Sequence, residues 1–215
     1  MAILEQGLVG TFTGKMGAIV VSKWKNVYVG KSKPKKSSKP ASQKQADQRS
    51  KFALVGGFIN YLPNLVVIGF KGTEGITSMN EAMQYNLNNA VSGVYPNYKL
   101  DYANVGLSNP KGRGGLDGAL ASGIAAVAGN SIKVTWQQEV IPSANTKPTD
   151  TAHIIIYNAV KDVFSVGERL RSSLTYDITL PRLLSGELHC WLFFSSENKR
   201  FVSATEYLGT VTTIA

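Results

Sequence analysis

Between residues 131 and 211 the chain breaks into six short apolar segments, each bounded by turn residues: 131–137 (SIKVTWQ), 152–158 (AHIIIYN), 162–166 (DVFSV), 174–180 (LTYDITL), 187–195 (ELHCWLFFS) and 201–211 (FVSATEYLGTV). Strands this short, at this regular a spacing, suit two stacked antiparallel sheets and little else. Alternation supports that reading. Ile132, Val134 and Trp136 fall on one side of their segment, with Lys133 and Thr135 on the other. Leu174, Tyr176, Ile178 and Leu180 alternate in the same way, and one face in, one face out is what stacked sheets require. Residues 116–215 are therefore expected to form an all-β sandwich.

Upstream the pattern changes. Asn109-Pro110-Lys111-Gly112-Arg113-Gly114-Gly115 is rich in turn residues and marks 109–115 as a hinge. Residues 42–108 read as helical. Ser42-Gln43-Lys44-Gln45 has the capping-box spacing and predicts a helix running to about residue 60, amphipathic around Ala46, Phe52 and Ala53. Pro63 suits the start of a helical turn within 62–70. Ser78 and Glu81 form a second capping box, predicting a helix over 79–92 that Gly93 stops, followed by a strand over 99–105.

The N-terminal quarter holds the charge. Residues 1–51 carry 11 Lys/Arg against Glu5 and Asp47, whereas residues 52–215 carry 12 of each sign, so the net +9 belongs to one end. Residues 31–41 (KSKPKKSSKPA) have no large apolar side chain and read as an extended basic arm. Before it, 18–22 and 26–29 predict two strands joined by a turn at 23–26, making residues 1–30 a β-hairpin segment. Two strands alone are marginal in water, so such a hairpin needs a surface to lie on. The fold class is thus an α+β N-terminal region (hairpin, basic arm, two helices) followed by an all-β sandwich.

Two resemblances bear on this. The strand Ile132-Lys133-Val134-Thr135-Trp136, the strand ending at Tyr157, the L-x-Y-x-I-x-L-P run at 174–181 and the long strand around Trp191 resemble fibronectin type III and other immunoglobulin-like domains. That likeness implies a fold and little about function. The run Gly14-Lys15, Gly17, Val20-Val21, Trp24-Lys25, Tyr28-Val29, Ser32-Lys33-Pro34, Gln48-Arg49, Lys51-Phe52 resembles an uncharacterised family common in Bacteroidota. Asn80, Ala82-Met83, Tyr85-Asn86-Leu87 and Tyr95-Pro96-Asn97 extend the match across essentially the whole chain. A looser form of the Trp24-to-Phe52 pattern is similar to small proteins encoded among phage structural genes. What this resemblance implies is assembly, without naming one.

Catalytic chemistry finds little support. The chain has two histidines, His153 and His189, and one cysteine, Cys190. Neighbours on a strand point to opposite faces, so His189 and Cys190 do not converge as a catalytic pair, and one cysteine excludes an internal disulfide. Gly112–Gly115 lacks the spacing of a phosphate-binding loop. Asp101, Asp117, Asp150 and Asp162 lack calcium-loop spacing. The reading is therefore of no enzyme, no cofactor, no metal and no small-molecule substrate. No apolar run approaches the roughly 18–20 residues of a membrane span, and the first residues lack the charge and apolar pattern of a secretory signal.

Three functions compete. The favoured one is a self-associating structural subunit of a phage virion or bacterial filament-like particle, made in the bacterial cytoplasm. Its inter-subunit contacts would come from Trp24, Tyr28, Lys33, Lys35, Lys36 and Arg49. A second is a nucleic-acid-associated protein held weakly by the basic arm, whose lysines supply attraction without base readout. A third is a surface adhesin whose sandwich binds a glycan or a protein.

Overall fold

A computed structural model describes residues 2–4, 12–24, 26–35, 39–70, 75–109 and 115–214. The chain divides into two compact units, residues 1–42 and 43–215.

The first unit is one antiparallel sheet. Strands β1 (Ala2–Leu4), β2 (Gly14–Met16), β3 (Ile19–Trp24) and β4 (Val27–Ser32) lie in the order β1-β4-β3-β2. The two anticipated strands are present as β3 and β4, each somewhat longer than the alternation suggested. Trp24 pairs with Val27, and Val21 pairs with Gly30. The hairpin is not alone, however: β1 and β2 border it and give it four strands. Gly17 turns β2 into β3 at a φ of +58°, a left-handed value that a side chain adopts at a cost. Gly14, at the start of β2, and Gly17, in the turn after it, both face open space. The basic arm overlaps this sheet: Lys31 and Ser32 belong to β4, and the Lys33 amide donates to the Ala18 carbonyl.

The second unit has three layers. Helices α1 (Gln43–Ile59), α2 (Pro63–Gly69) and α3 (Ser78–Asn89) come first, then a hairpin of β5 (Val91–Val94) and β6 (Asn97–Leu100). Seven strands follow: β7 (Leu120–Val127), β8 (Ser131–Gln137), β9 (Thr151–Asn158), β10 (Val163–Leu170), β11 (Thr175–Thr179), β12 (Glu187–Ser195) and β13 (Glu206–Thr212). They form a four-stranded sheet, β10-β9-β12-β13, and a three-stranded sheet, β11-β8-β7. One core joins the two sheets, with Ile132, Val134 and Trp136 of β8 against Ile154, Ile156, Cys190, Leu192 and Phe194 of β9 and β12. A second core lies on the other side of the four-stranded sheet, where Phe58, Ile59, Leu65, Val66 and Phe70 meet Ile155, Tyr157, Trp191 and Phe193.

That second core revises the expected organisation. The helical region and the strands share a core, and the division between units falls at residue 42, where a hinge had been expected at 109–115. Residues 110–114 lie outside the described residues. The continuous apolar run Cys190–Phe194 has a simple cause: β9 and β12 are buried on both faces, so each neighbouring residue serves a different core.

Smaller differences have local causes. The inward face of α1 is Val55, Phe58 and Ile59, while Phe52 and Ala53 are exposed. The cap of α3 is Thr77, whose hydroxyl accepts from the Asn80 amide at 3.2 Å, one residue before the expected Ser78. The helix ends at Asn89 because the chain turns into the β5–β6 hairpin, which replaces the strand expected at 99–105. Leu174, expected to alternate with Tyr176, precedes β11 in a left-handed conformation.

Candidate functional site

The residues singled out from the sequence do not form one surface. Lys23 and Tyr28 are paired across β3 and β4, as are Trp24 and Val27, so Trp24 and Tyr28 lie on opposite faces of the sheet. Trp24 is 51% exposed. Tyr28 is half-buried, with the Lys23 ammonium 5.4 Å from its ring centre. Lys33 and Lys35 follow β4 and are exposed. Lys36 lies outside the described residues. Arg49 is on α1, in the other unit, and is exposed.

The sheet that carries Trp24 has apolar side chains, interspersed with lysines and serines, on both sides. The register puts Met16, Ile19, Val21 and Tyr28 on one face and Val20, Trp24, Val27 and Val29 on the other. Among the described residues of this unit, Val21 is the one large apolar side chain that is buried; Met16, Ile19, Trp24 and Val27 are exposed.

Two polar constellations in the second unit escaped sequence reasoning because their members are far apart in the chain. In the first, Ser195, His153 and Glu168 come from β12, β9 and β10. The His153 Nε2 lies 2.8 Å from the Ser195 hydroxyl, and the Glu168 carboxylate approaches Nδ1 to 3.2 Å without hydrogen-bond alignment. In outline this is the serine–histidine–acid order of a hydrolase, but the access is reversed. Ser195 and His153 are each 1% exposed, whereas the Glu168 side chain is 60% exposed. A nucleophile sealed beneath the helical layer meets no carbonyl, so the group is structural. Burial lowers the His153 pKa, and Glu168 opposes that only in part.

That depression gives stability a pH dependence. A neutral buried imidazole favours the folded state above the ordinary value of 6.5, and the advantage is lost as pH falls from there towards the lowered folded value. His189 shifts in the same direction, also through burial. The melting temperature should therefore fall between about pH 7 and 5. His153→Gln should flatten that slope. An identical slope in the variant would remove His153 as its source.

The second constellation is a buried ion pair. Asp150 and Arg171 are 1% and 2% exposed, with Nε 3.3 Å from Oδ2. The guanidinium donates to the carbonyls of Asp117 and Gly118 and lies 3.6 Å from the centre of the Phe194 ring. The Trp136 indole donates to the Arg171 carbonyl at 2.9 Å. Burial pushes the Asp150 carboxyl up, against the pull of the Lys147 amide and Arg171, and pushes Arg171 down. Burial pushes the Cys190 thiol up to about 12, away from a reactive thiolate.

Among the described residues no group of three or more His, Cys, Asp or Glu converges as metal ligands, and no single helix is long and apolar enough to cross a membrane.

A family described as of unknown function, DUF6266, matches residues 11–209. Comparison with curated proteins finds no match. Among solved structures, the fn3 domain of human contactin 1 is similar at a TM-score of 0.29 and 12% identity, over 46% of this chain and 79% of that one. A superposition that loose carries no argument about this protein.

Proposed function

We propose that this chain, which belongs to the DUF6266 family of unknown function, is a non-enzymatic assembly subunit whose residues 1–42 dock on a neighbouring subunit. The carrying observation is a small sheet with apolar side chains on both faces and, among the described residues of its unit, little to cover them. An antiparallel sheet in water keeps one face polar, and a unit this short rarely holds a core by itself. A neighbouring subunit supplies the cover.

Charge favours a particular kind of contact. Residues 1–42 carry eight lysines against the single acid Glu5. Stacking two such sheets would set like charge on like, so the sheet of one copy meets a different surface of the next. Contacts of that kind close into rings or continue as filaments, in keeping with a virion or filament-like particle. Residues 116–214 are read as a fibronectin type III-like sandwich, supported by the strand orders β10-β9-β12-β13 and β11-β8-β7 and by the core between them.

Light scattering across a concentration series tests this. The full chain should form multimers, and deletion of residues 1–42 should leave a folded monomer. Trp24→Ala should weaken association more than Lys33→Glu with Lys35→Glu, because apolar cover dominates the contact. The nucleic-acid reading expects the reverse. If eight basic residues neutralised duplex phosphates, affinity would fall with salt at a logarithmic slope of about −7. A full chain that stays monomeric at high micromolar concentration, or binds DNA below micromolar at about 150 mM salt, would overturn the proposal.

A further inference from the structure

A cleft of about 530 Å³ lies between α3 and the segments around Ser108 and Thr205, within the range of small-ligand sites, about 300–1,000 Å³. Every residue that lines it belongs to the second unit.

Its walls are built rigidly. Asn86 of α3 is buried and bonds Gly106 twice, donating to the carbonyl at 2.8 Å and accepting from the amide at 2.9 Å. Tyr85 lies flush against Gly106, where any Cβ would collide with the ring. On the floor, the Thr205 hydroxyl accepts from the amides of Leu107 and Ser108, at 2.9 and 2.7 Å. Ser108 donates its proton to the Ser203 carbonyl, so Thr205 donates to Ser108 across 2.8 Å. These hydroxyls are fully engaged and hold the floor in place.

The rim is different. Glu81, Gln84, Tyr85 and Asn88 follow one another along α3 at the spacing of a single helix face and all line the cleft. Gln84 and Asn88 are exposed, and their carboxamides have no hydrogen-bond partner among the described residues. One oxygen of Glu81 is buried and has no partner either. An acceptor left so is costly unless something donates to it.

We infer that this cleft binds a neutral saccharide. Among the described residues no Lys or Arg lines it, so phosphate and other anions would meet the Glu81 carboxylate with no counter-charge from those residues. One carboxylate is too few for a metal ion. Carboxamides donate and accept side by side, as adjacent sugar hydroxyls do. The Glu81 oxygen accepts from one hydroxyl, and the half-buried Tyr85 ring offers an apolar surface for the C–H face of a pyranose. A peptide backbone shares the amide complementarity, but its side chains call for apolar sub-pockets along an extended groove.

Isothermal titration and saturation-transfer NMR on the full chain test the assignment. The probes are maltotriose, cellotriose and triacetylchitotriose, with inorganic phosphate and a capped tetra-alanine peptide as the competing chemistries. At least one trisaccharide should bind saturably. Gln84→Ala with Asn88→Ala should weaken it about tenfold, the effect of two lost hydrogen bonds. Both side chains are exposed, so the melting temperature should not move. Glu81→Gln, which keeps the shape and removes the charge, should weaken binding as well. Absence of saturable binding by all three sugars would overturn the inference, as would preference for phosphate or peptide, or affinity unchanged in the double variant. The multimer measurement is a separate readout, so failure of either proposal leaves the other standing.

Discussion

Asp150→Ala should destabilise the protein by about 3–5 kcal/mol, the usual penalty for leaving one member of a buried pair unpaired. Arg171 keeps its bonds to the carbonyls of Asp117 and Gly118, but its charge would then face Phe194 and the core with only the half-buried Asp117 carboxylate to offset it. Pairing the change with Arg171→Met should recover a large part of the loss, because the second substitution removes the stranded charge along with its partner. Urea midpoints of the two variants and the parent make the comparison. A single variant as stable as the parent would mean that water reaches this pair. A double variant no better than the single would assign the loss to the hydrogen bond that the Asp150 carboxylate accepts from the Lys147 amide, or to packing.

Trp191→Ala should be comparably severe, about 3–5 kcal/mol for a buried tryptophan. The ring lies at the meeting of two regions that sequence reasoning had separated. It packs against Phe58 of α1 at 5.8 Å between ring centres and against Tyr207 of β13 at 5.6 Å, and its indole donates to the Tyr102 carbonyl. The helical and sheet signals in circular dichroism should therefore fall together, in one transition shifted to lower temperature. If the helices melted early while the sheets kept the parental midpoint, the shared core would not be cooperative, and a helical domain hinged at 109–115 would be the better description.

What the sequence revealed and what it hid follow from where the physical signal resides. β8 was legible in full: a polar residue separates each of Ile132, Val134 and Trp136, because one face of that strand meets solvent. β12 was legible as a strand but not as the middle of three layers, since a long apolar run does not say what covers its second face. β7 escaped notice. Its residues Leu120–Val127 are mostly small, and a bulge between Leu120 and Gly123 interrupts the alternation. The shared core of helices and strands was hidden for a different reason: Phe58 and Trp191 are 133 positions apart, and local pattern carries no information about such a meeting.

The candidate sites divide in the same way. Trp24 and Tyr28 stood out as aromatic residues beside lysines, but only the strand register reveals that they face opposite ways. The α3 stripe was present in the sequence as Glu81, Gln84, Tyr85 and Asn88, where it reads as an ordinary polar helix face. Its significance depends on Ser108 and Thr205 arriving across from it.

The pairing of His153 with Ser195 bears on how β9 and β12 find their alignment. Most strands are held in register by alternation, because a slip of one residue turns the apolar side to water. β9 and β12 lack that safeguard: with both faces covered, a slip exchanges one apolar side chain for another. The two polar side chains break the degeneracy. Shifted by one, Ser195 would point into the core between the sheets while His153 stayed beneath the helices, and each would lose its partner. Stranding a buried polar group costs about 1–3 kcal/mol, so the correct alignment is favoured by a polar contact between two buried side chains near the end of the strand pair. An arrangement with the geometry of a hydrolase thus serves as an indexing mark.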